Sequence, residues 1–137
     1  METIIQFGEG GFLRSFVDKF IDIMNKQGTY DGKVVIVQPI KNGLCDVLNA
    51  QNCEYNLFLR GIKDGEVINE RTLIQSVSRC INPYGGDDEY NEYLKLAHNK
   101  DIRFIVSNTT EAGIEFTGTD KFDDAPQASF PAKLTRL

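Results

Sequence analysis

The sequence predicts an α/β fold: a doubly wound, mainly parallel sheet with an inserted antiparallel β-hairpin. Three observations predict it. A short apolar run, "TIIQF" at 3–7, gives way through a cluster of glycines to a helical stripe. "KVVIVQP" at 33–39 sets four β-branched residues side by side without alternation, the pattern of a strand covered on both faces. "YNLFLRGI" at 55–62 alternates and meets "KDGE" at 63–66, where Asp64-Gly65 accommodates the positive φ of a hairpin turn.

Each element follows in order. After the strand at 3–7, residues 11–27 repeat with helical period: Phe12, Leu13, Phe16, Val17, Phe20, Ile21 and Met24 form the apolar stripe. Phe12, Phe16 and Phe20 are read as core packing. Arg14, Asp18, Lys19, Asp22 and Lys26 fall mostly opposite, and Gly28 stops the helix. With the strand at 33–39 this makes a βαβ unit. A short helix is expected within 43–52. Residues 67–81 read as one long β-rich return of the hairpin. A loop at 82–90 leads into a helix capped by Asp87 or Asp88, with Tyr90, Tyr93, Leu94 and Ala97 on one face. "IRFIVS" at 102–107 reads as another buried strand, and residues 117–128 as a polar surface loop. From Ser129 a helix begins, with Pro131 in its first turn and Leu134 and Leu137 sharing a face. A domain seldom ends within an amphipathic helix, so the chain is expected to belong to something longer, with Leu134 and Leu137 offering a surface for self-association.

Composition narrows the partners. The 137 residues suit one domain, and a formal charge of −5 argues against nucleic acid or an anionic membrane as the main partner, since both need a basic face. No apolar run approaches the ~20 residues of a membrane span, and Glu2 follows Met1 without a signal-peptide pattern, so a cytoplasmic location is expected. Cys45, Cys53 and Cys80 are widely spaced and read as free thiols; no metal site is expected.

The glycines carry the chemistry. A helix begins with free N–H groups and a partial positive charge, which suit a diphosphate if no side chain blocks the approach. Gly8 permits the turn out of the strand, and Gly10 removes the Cβ nearest the phosphate. The third position of the G-x-G-x-x-G pattern is Leu13, which implies an altered helix–strand spacing. Gln38 stands where dinucleotide enzymes carry an acid for the ribose hydroxyls; it offers an amide oxygen and no charge, so this position leaves NAD against NADP open. "SNTTEAG" at 107–113 follows a strand directly, and Ser107, Asn108, Thr109, Thr110 and Glu111 suit hydroxyls of a cofactor or substrate; helix capping by Thr109 or Thr110 is compatible with that. His98 and Lys133 read as solvated helix residues. No catalytic dyad, metal cluster or nucleophile elbow is found.

The blocks "IIQFGEGGFLR", "NLFLRGIKDGEVINERTLIQSVSRCI", "RFIVSNTTEAGI" and "DKFDDAPQASFPAKLTRL" together resemble the mannitol dehydrogenase family of polyol-specific long-chain dehydrogenases, over residues 3–137. Its G-x-G-x-F-x-R signature matches Gly8, Gly10, Phe12 and Arg14. "SNTTEAGI" and "KFDDAP" point to the branch acting on sugar acids. The resemblance implies a Rossmann-like N-terminal domain, here 1–137, that binds NAD through Phe7, Gly8, Glu9, Gly10, Gly11, Phe12, Leu13, Arg14, Gln38, Ser107, Asn108, Thr109 and Glu111. It implies metal-independent hydride transfer between NAD(H) and a small-molecule sugar acid, tagaturonate or altronate. The acid/base lysine would belong to a C-terminal helical domain outside this chain, so no catalytic residue is assigned and the chain alone is expected to be inactive. Fructuronate or another polyol as substrate, or a freestanding nucleotide-binding module, are the alternatives.

Overall fold

The computed structural model describes residues 1–137. Its main sheet has four parallel strands in the order β5-β2-β1-β6. These are β1 (Glu2–Phe7), β2 (Lys33–Val37), β5 (Val77–Ile81) and β6 (Phe104–Ser107). The hairpin of β3 (Tyr55–Lys63) and β4 (Glu66–Ile74) forms a separate two-stranded antiparallel sheet.

Strand alternation builds two cores. Ile4, Val34 and Ile36 face α1 (Gly11–Ser15), α2 (Val17–Lys26) and α3 (Cys45–Ala50), where they meet Ile21 and Leu48. Ile5, Phe7, Val35 and Val37 face the other way, toward Tyr90 and Tyr93 of α4 (Asp87–Lys95) and Phe130 of α5 (Phe130–Arg136). Every residue of Val34–Val37 is fully buried. That is why β2 is apolar without alternation: both of its faces are covered.

Several elements lie where the sequence puts them. Gly28 ends α2 with φ +71°, and the Thr29 N–H returns to the Met24 carbonyl at 3.0 Å. Asp64 and Gly65 have φ of +53° and +83°, a type I′ turn. Ser129 caps α5, its Oγ accepting from the Ala132 N–H at 3.3 Å. The three cysteines are free and buried.

Others differ. The return at 67–81 is two strands. β4 pairs with β3, whereas β5 leaves the hairpin and joins the parallel sheet beside β2. Helix α2 fixes the break: Asp22 Oδ1 accepts from the Gln75 N–H at 2.9 Å, and the Ser76 hydroxyl donates to the Asp18 carbonyl at 2.7 Å. The helix at 11–27 is interrupted at Phe16, whose ψ of −76° separates α1 from α2. Phe12, Phe16 and Phe20 are not core: they are 62%, 49% and 47% exposed and stack on one another along the outside. Leu13 and Ile21 occupy the inner side instead. α4 is preceded by Gly86 at φ +111°, with Asp87 and Asp88 inside its first turn and no side-chain cap. Strand β6 is an edge, and its Phe104 and Ile105 stay half exposed. Lys133 is buried rather than solvated: its ammonium donates to the Ala128 carbonyl at 2.7 Å and lies 5.3 Å from the Tyr84 ring centre. His98 is exposed, as expected.

Candidate functional site

The site lies beyond the carboxyl ends of β1, β2 and β6, which the sheet brings level. Phe7 pairs with Val37 on one side and Ser107 on the other. Strand β1 is followed by β2 on one flank and later by β6 on the opposite flank, so the order of the sheet reverses there. Such a switch point opens a crevice at the strand ends.

The chain leaves β1 through Gly8, at φ +126°, with its N–H donating to the Val37 carbonyl at 3.1 Å. A Cβ at Gly8 would lie 3.1 Å from Asn108 Oδ1 and 3.3 Å from Leu13 Cδ1, so the backbone conformation calls for glycine here and the neighbours leave little room for a side chain. Gly10 and Gly11 differ. Gly10 is extended (φ −68°), and a Cβ at either position would meet nothing within 4 Å. The fold itself does not need glycine at these two places. The N–H groups of Gly10, Gly11 and Phe12 find no acceptor within the chain, and Gly10 supplies no side-chain cap. The loop therefore presents bare donors to open space, at the positive end of a helix.

A cleft of about 560 Å³ adjoins the loop, walled by Gly8, Pro39, Asn108, Thr109, Gly113 and Phe130 among others. Asn108 is exposed, whereas the Ser107 hydroxyl turns inward to accept from the Thr109 N–H at 3.1 Å and to bond the Thr109 hydroxyl. Glu111 is exposed at the start of a short 3₁₀ turn, Glu111–Ile114, that follows the cleft wall. Phe7 is buried below, edge-on to Phe130 at 5.2 Å between ring centres.

Two of the expected site residues also have partners within the chain. Gln38 is not a free strand-end acceptor. Its Nε2 donates to the Ile40 and Lys41 carbonyls at 2.8 and 3.1 Å, and its Oε1 accepts from the Cys45 N–H at 3.1 Å. A buried glutamine shapes the 38–45 loop in this way because its amide has the donors and acceptor that the loop lacks. Arg14 lies over the Tyr55 ring at 5.2 Å, and its carbonyl accepts from the Tyr55 hydroxyl at 2.7 Å, which ties α1 to the hairpin.

Beneath the loop is a polar cluster that sequence reasoning missed. Gln6 is fully buried in β1; its Nε2 donates to the Gly8 carbonyl at 3.0 Å and to Asp18 Oδ2 at 3.4 Å. The Tyr55 hydroxyl reaches the same carboxylate at 3.2 Å. Burial pushes the Asp18 carboxyl up to about 7, against the opposing pull of Gln6, Tyr55 and Arg14. Tyr55 is raised too, by burial and then by Asp18. The signal was Gln6, the one amide side chain in the apolar run "TIIQF".

The family model of the mannitol dehydrogenase Rossmann domain matches residues 2–137. The chain belongs to this family. It is 52% identical over 136 residues to an altronate oxidoreductase of Phocaeicola vulgatus and, over the same length, to one of Bacteroides thetaiotaomicron. An Escherichia coli altronate oxidoreductase is 51% identical over 137 residues. These alignments cover 99% of the chain but 28% of each relative, so the chain spans under a third of the length of the curated relatives it matches. Among solved structures, Pseudomonas fluorescens mannitol 2-dehydrogenase, in a ternary complex with NAD and D-mannitol, superposes with a TM-score of 0.70 at 23% identity, over 82% of this chain and 22% of that one. A D-sorbitol dehydrogenase in substrate-free form gives 0.66 at 21% identity, over 90% and 25%. Both likenesses concern the fold, and the mannitol dehydrogenase Rossmann domain accounts for the strand order and the helices on both faces.

Proposed function

We propose that residues 1–137 are the NAD-holding domain of an oxidoreductase that transfers a hydride between NAD(H) and a sugar acid of the tagaturonate/altronate pair. The observation that carries this reading is the contrast among the glycines. Gly8 serves the fold, whereas Gly10 and Gly11 have room for side chains and lack them beside unpaired N–H groups. A diphosphate accounts for that absence: its oxygens accept from those groups, and a side chain there would stand in its way. The altronate oxidoreductase relatives support the substrate class, and the mannitol 2-dehydrogenase complex supports the cofactor.

In this reading Gly10, Gly11 and Phe12 hold the diphosphate through the backbone. Leu13 packs beneath and sets the helix against the strand. Asn108 and Thr109, on the far wall of the cleft, take hydroxyls of the cofactor or the sugar acid. Bound NAD supplies the hydride-accepting ring. Proton transfer falls to an acid/base group outside residues 1–137, in a C-terminal helical domain, so the chain alone turns nothing over.

The test is a calorimetric or fluorescence titration of the protein with NADH, repeated with Gly10→Val. Saturable binding is expected, weakened roughly tenfold or more in the variant at unchanged thermal stability. Equal affinity in a folded Gly10→Val protein would overturn the phosphate role of the loop.

A further inference from the structure

We propose that Glu9 makes the site selective for NAD over NADP, by holding a carboxylate where the adenosine ribose hydroxyls are bound; this rests on the dinucleotide reading above. Glu9 is only 8% exposed, and its carboxylate makes no hydrogen bond or ion pair within the chain. Its oxygens nonetheless keep contact with solvent, so they are open to a donor that comes from outside.

Its position indicates which partner. A Cβ on Gly43 would overlap Glu9 Oε1 and would lie 2.5 Å from Gln38 Cδ and 2.6 Å from Gln38 Oε1. Glu9, Gln38 and Gly43 thus meet at one place, just past the end of β2. In dinucleotide folds the acid that accepts from the ribose hydroxyls stands at the end of the second strand. Gln38 occupies that position here, but its amide is committed to Ile40, Lys41 and Cys45. The charge that Gln38 lacks arrives instead from the glycine loop, one residue after Gly8, and the missing side chain of Gly43 leaves the space it fills. A carboxylate accepts from two neighbouring hydroxyls, whereas a 2′-phosphate in the same place meets like charge. Neutralising the carboxylate should therefore admit NADPH as well as weaken NADH.

NADH and NADPH are titrated against the wild-type protein and Glu9→Gln, with thermal melting as the check on folding. The wild type is expected to favour NADH roughly tenfold or more, and Glu9→Gln to lose most of that preference. A folded Glu9→Gln protein that keeps the wild-type ratio, or a wild type that favours NADPH, overturns the role of Glu9 and leaves the proposed function standing. A wild type that binds neither overturns both. Should Glu9→Gln not fold, Glu9→Asp keeps the charge but shortens its reach: a narrowed preference supports the proposal and an unchanged one overturns it.

Discussion

The side chain of Gln6 donates to the carbonyl of Gly8 at 3.0 Å, so the last turn of β1 is held from below by the strand that leads into it. The glycine loop is thereby braced by a residue that never reaches the surface. Removing the brace tests how far the loop depends on it. Gln6→Leu keeps much of the volume but leaves the Gly8 carbonyl and the Asp18 carboxyl short of a donor. Urea denaturation should show a loss of roughly 1–3 kcal/mol, and NADH titration a weaker affinity. A variant as stable and as tight-binding as wild type would show the brace to be idle.

Glycines in one loop should differ sharply on substitution. Gly8→Ala places a Cβ at φ +126° against Asn108 and Leu13, and should destabilise the fold by roughly 1–3 kcal/mol. Gly10→Ala meets nothing within 4 Å and should leave stability within about 0.5 kcal/mol. Chemical denaturation of the two variants side by side checks the contrast.

Asp18 should make stability fall as pH rises. Its carboxyl is raised from 3.8 to about 7 in the folded protein, so between those values the folded state keeps a proton that the unfolded state has lost. The contribution is fully present below about pH 4 and is lost as pH climbs through 7, a decline on the order of 2–4 kcal/mol. Asp18→Asn, which cannot ionise, should flatten this slope in denaturation measured from pH 4 to pH 8.

Lys133 acts in the opposite sense, with its own burial penalty relieved as pH rises. Burial pulls its ammonium down from 10.5 to about 8, with Asp120 resisting, so the unfolded chain binds the proton more tightly. Stability should rise with pH between 8 and 10.5, and Lys133→Met should remove that rise while gaining on the order of 1–2 kcal/mol at pH 7. Thermal melts at pH 7 and pH 10 distinguish the two proteins.

Exposed apolar side chains should drive self-association at high concentration. Leu134 is 37% exposed, but Phe104 and Ile105 on the open edge of β6 uncover more, at 56% and 50%. Light scattering on the wild type should show species above the monomer, reduced by Ile105→Lys more than by Leu134→Lys. A monodisperse monomer throughout would remove the proposal.

Local chemistry determined much of this protein from sequence alone. β2 is legible because four adjacent β-branched residues suit only a strand covered twice, and the hairpin because Asp64-Gly65 tolerates positive φ. The glycine loop is legible because a strand, glycines and a helix stripe follow one another within a few residues. Tertiary structure decided the rest. Whether 67–81 is one strand or two depends on Asp18 and Asp22, residues distant in sequence that capture Ser76 and Gln75. Helical periodicity places Phe12, Phe16 and Phe20 beside Leu13 and Ile21 but does not say how wide the buried stripe is; the neighbouring sheet sets that width. The same holds for Gln38, Lys133 and Glu9: their types state what they can bond, and only the packed chain decides whether protein, solvent or a ligand answers them.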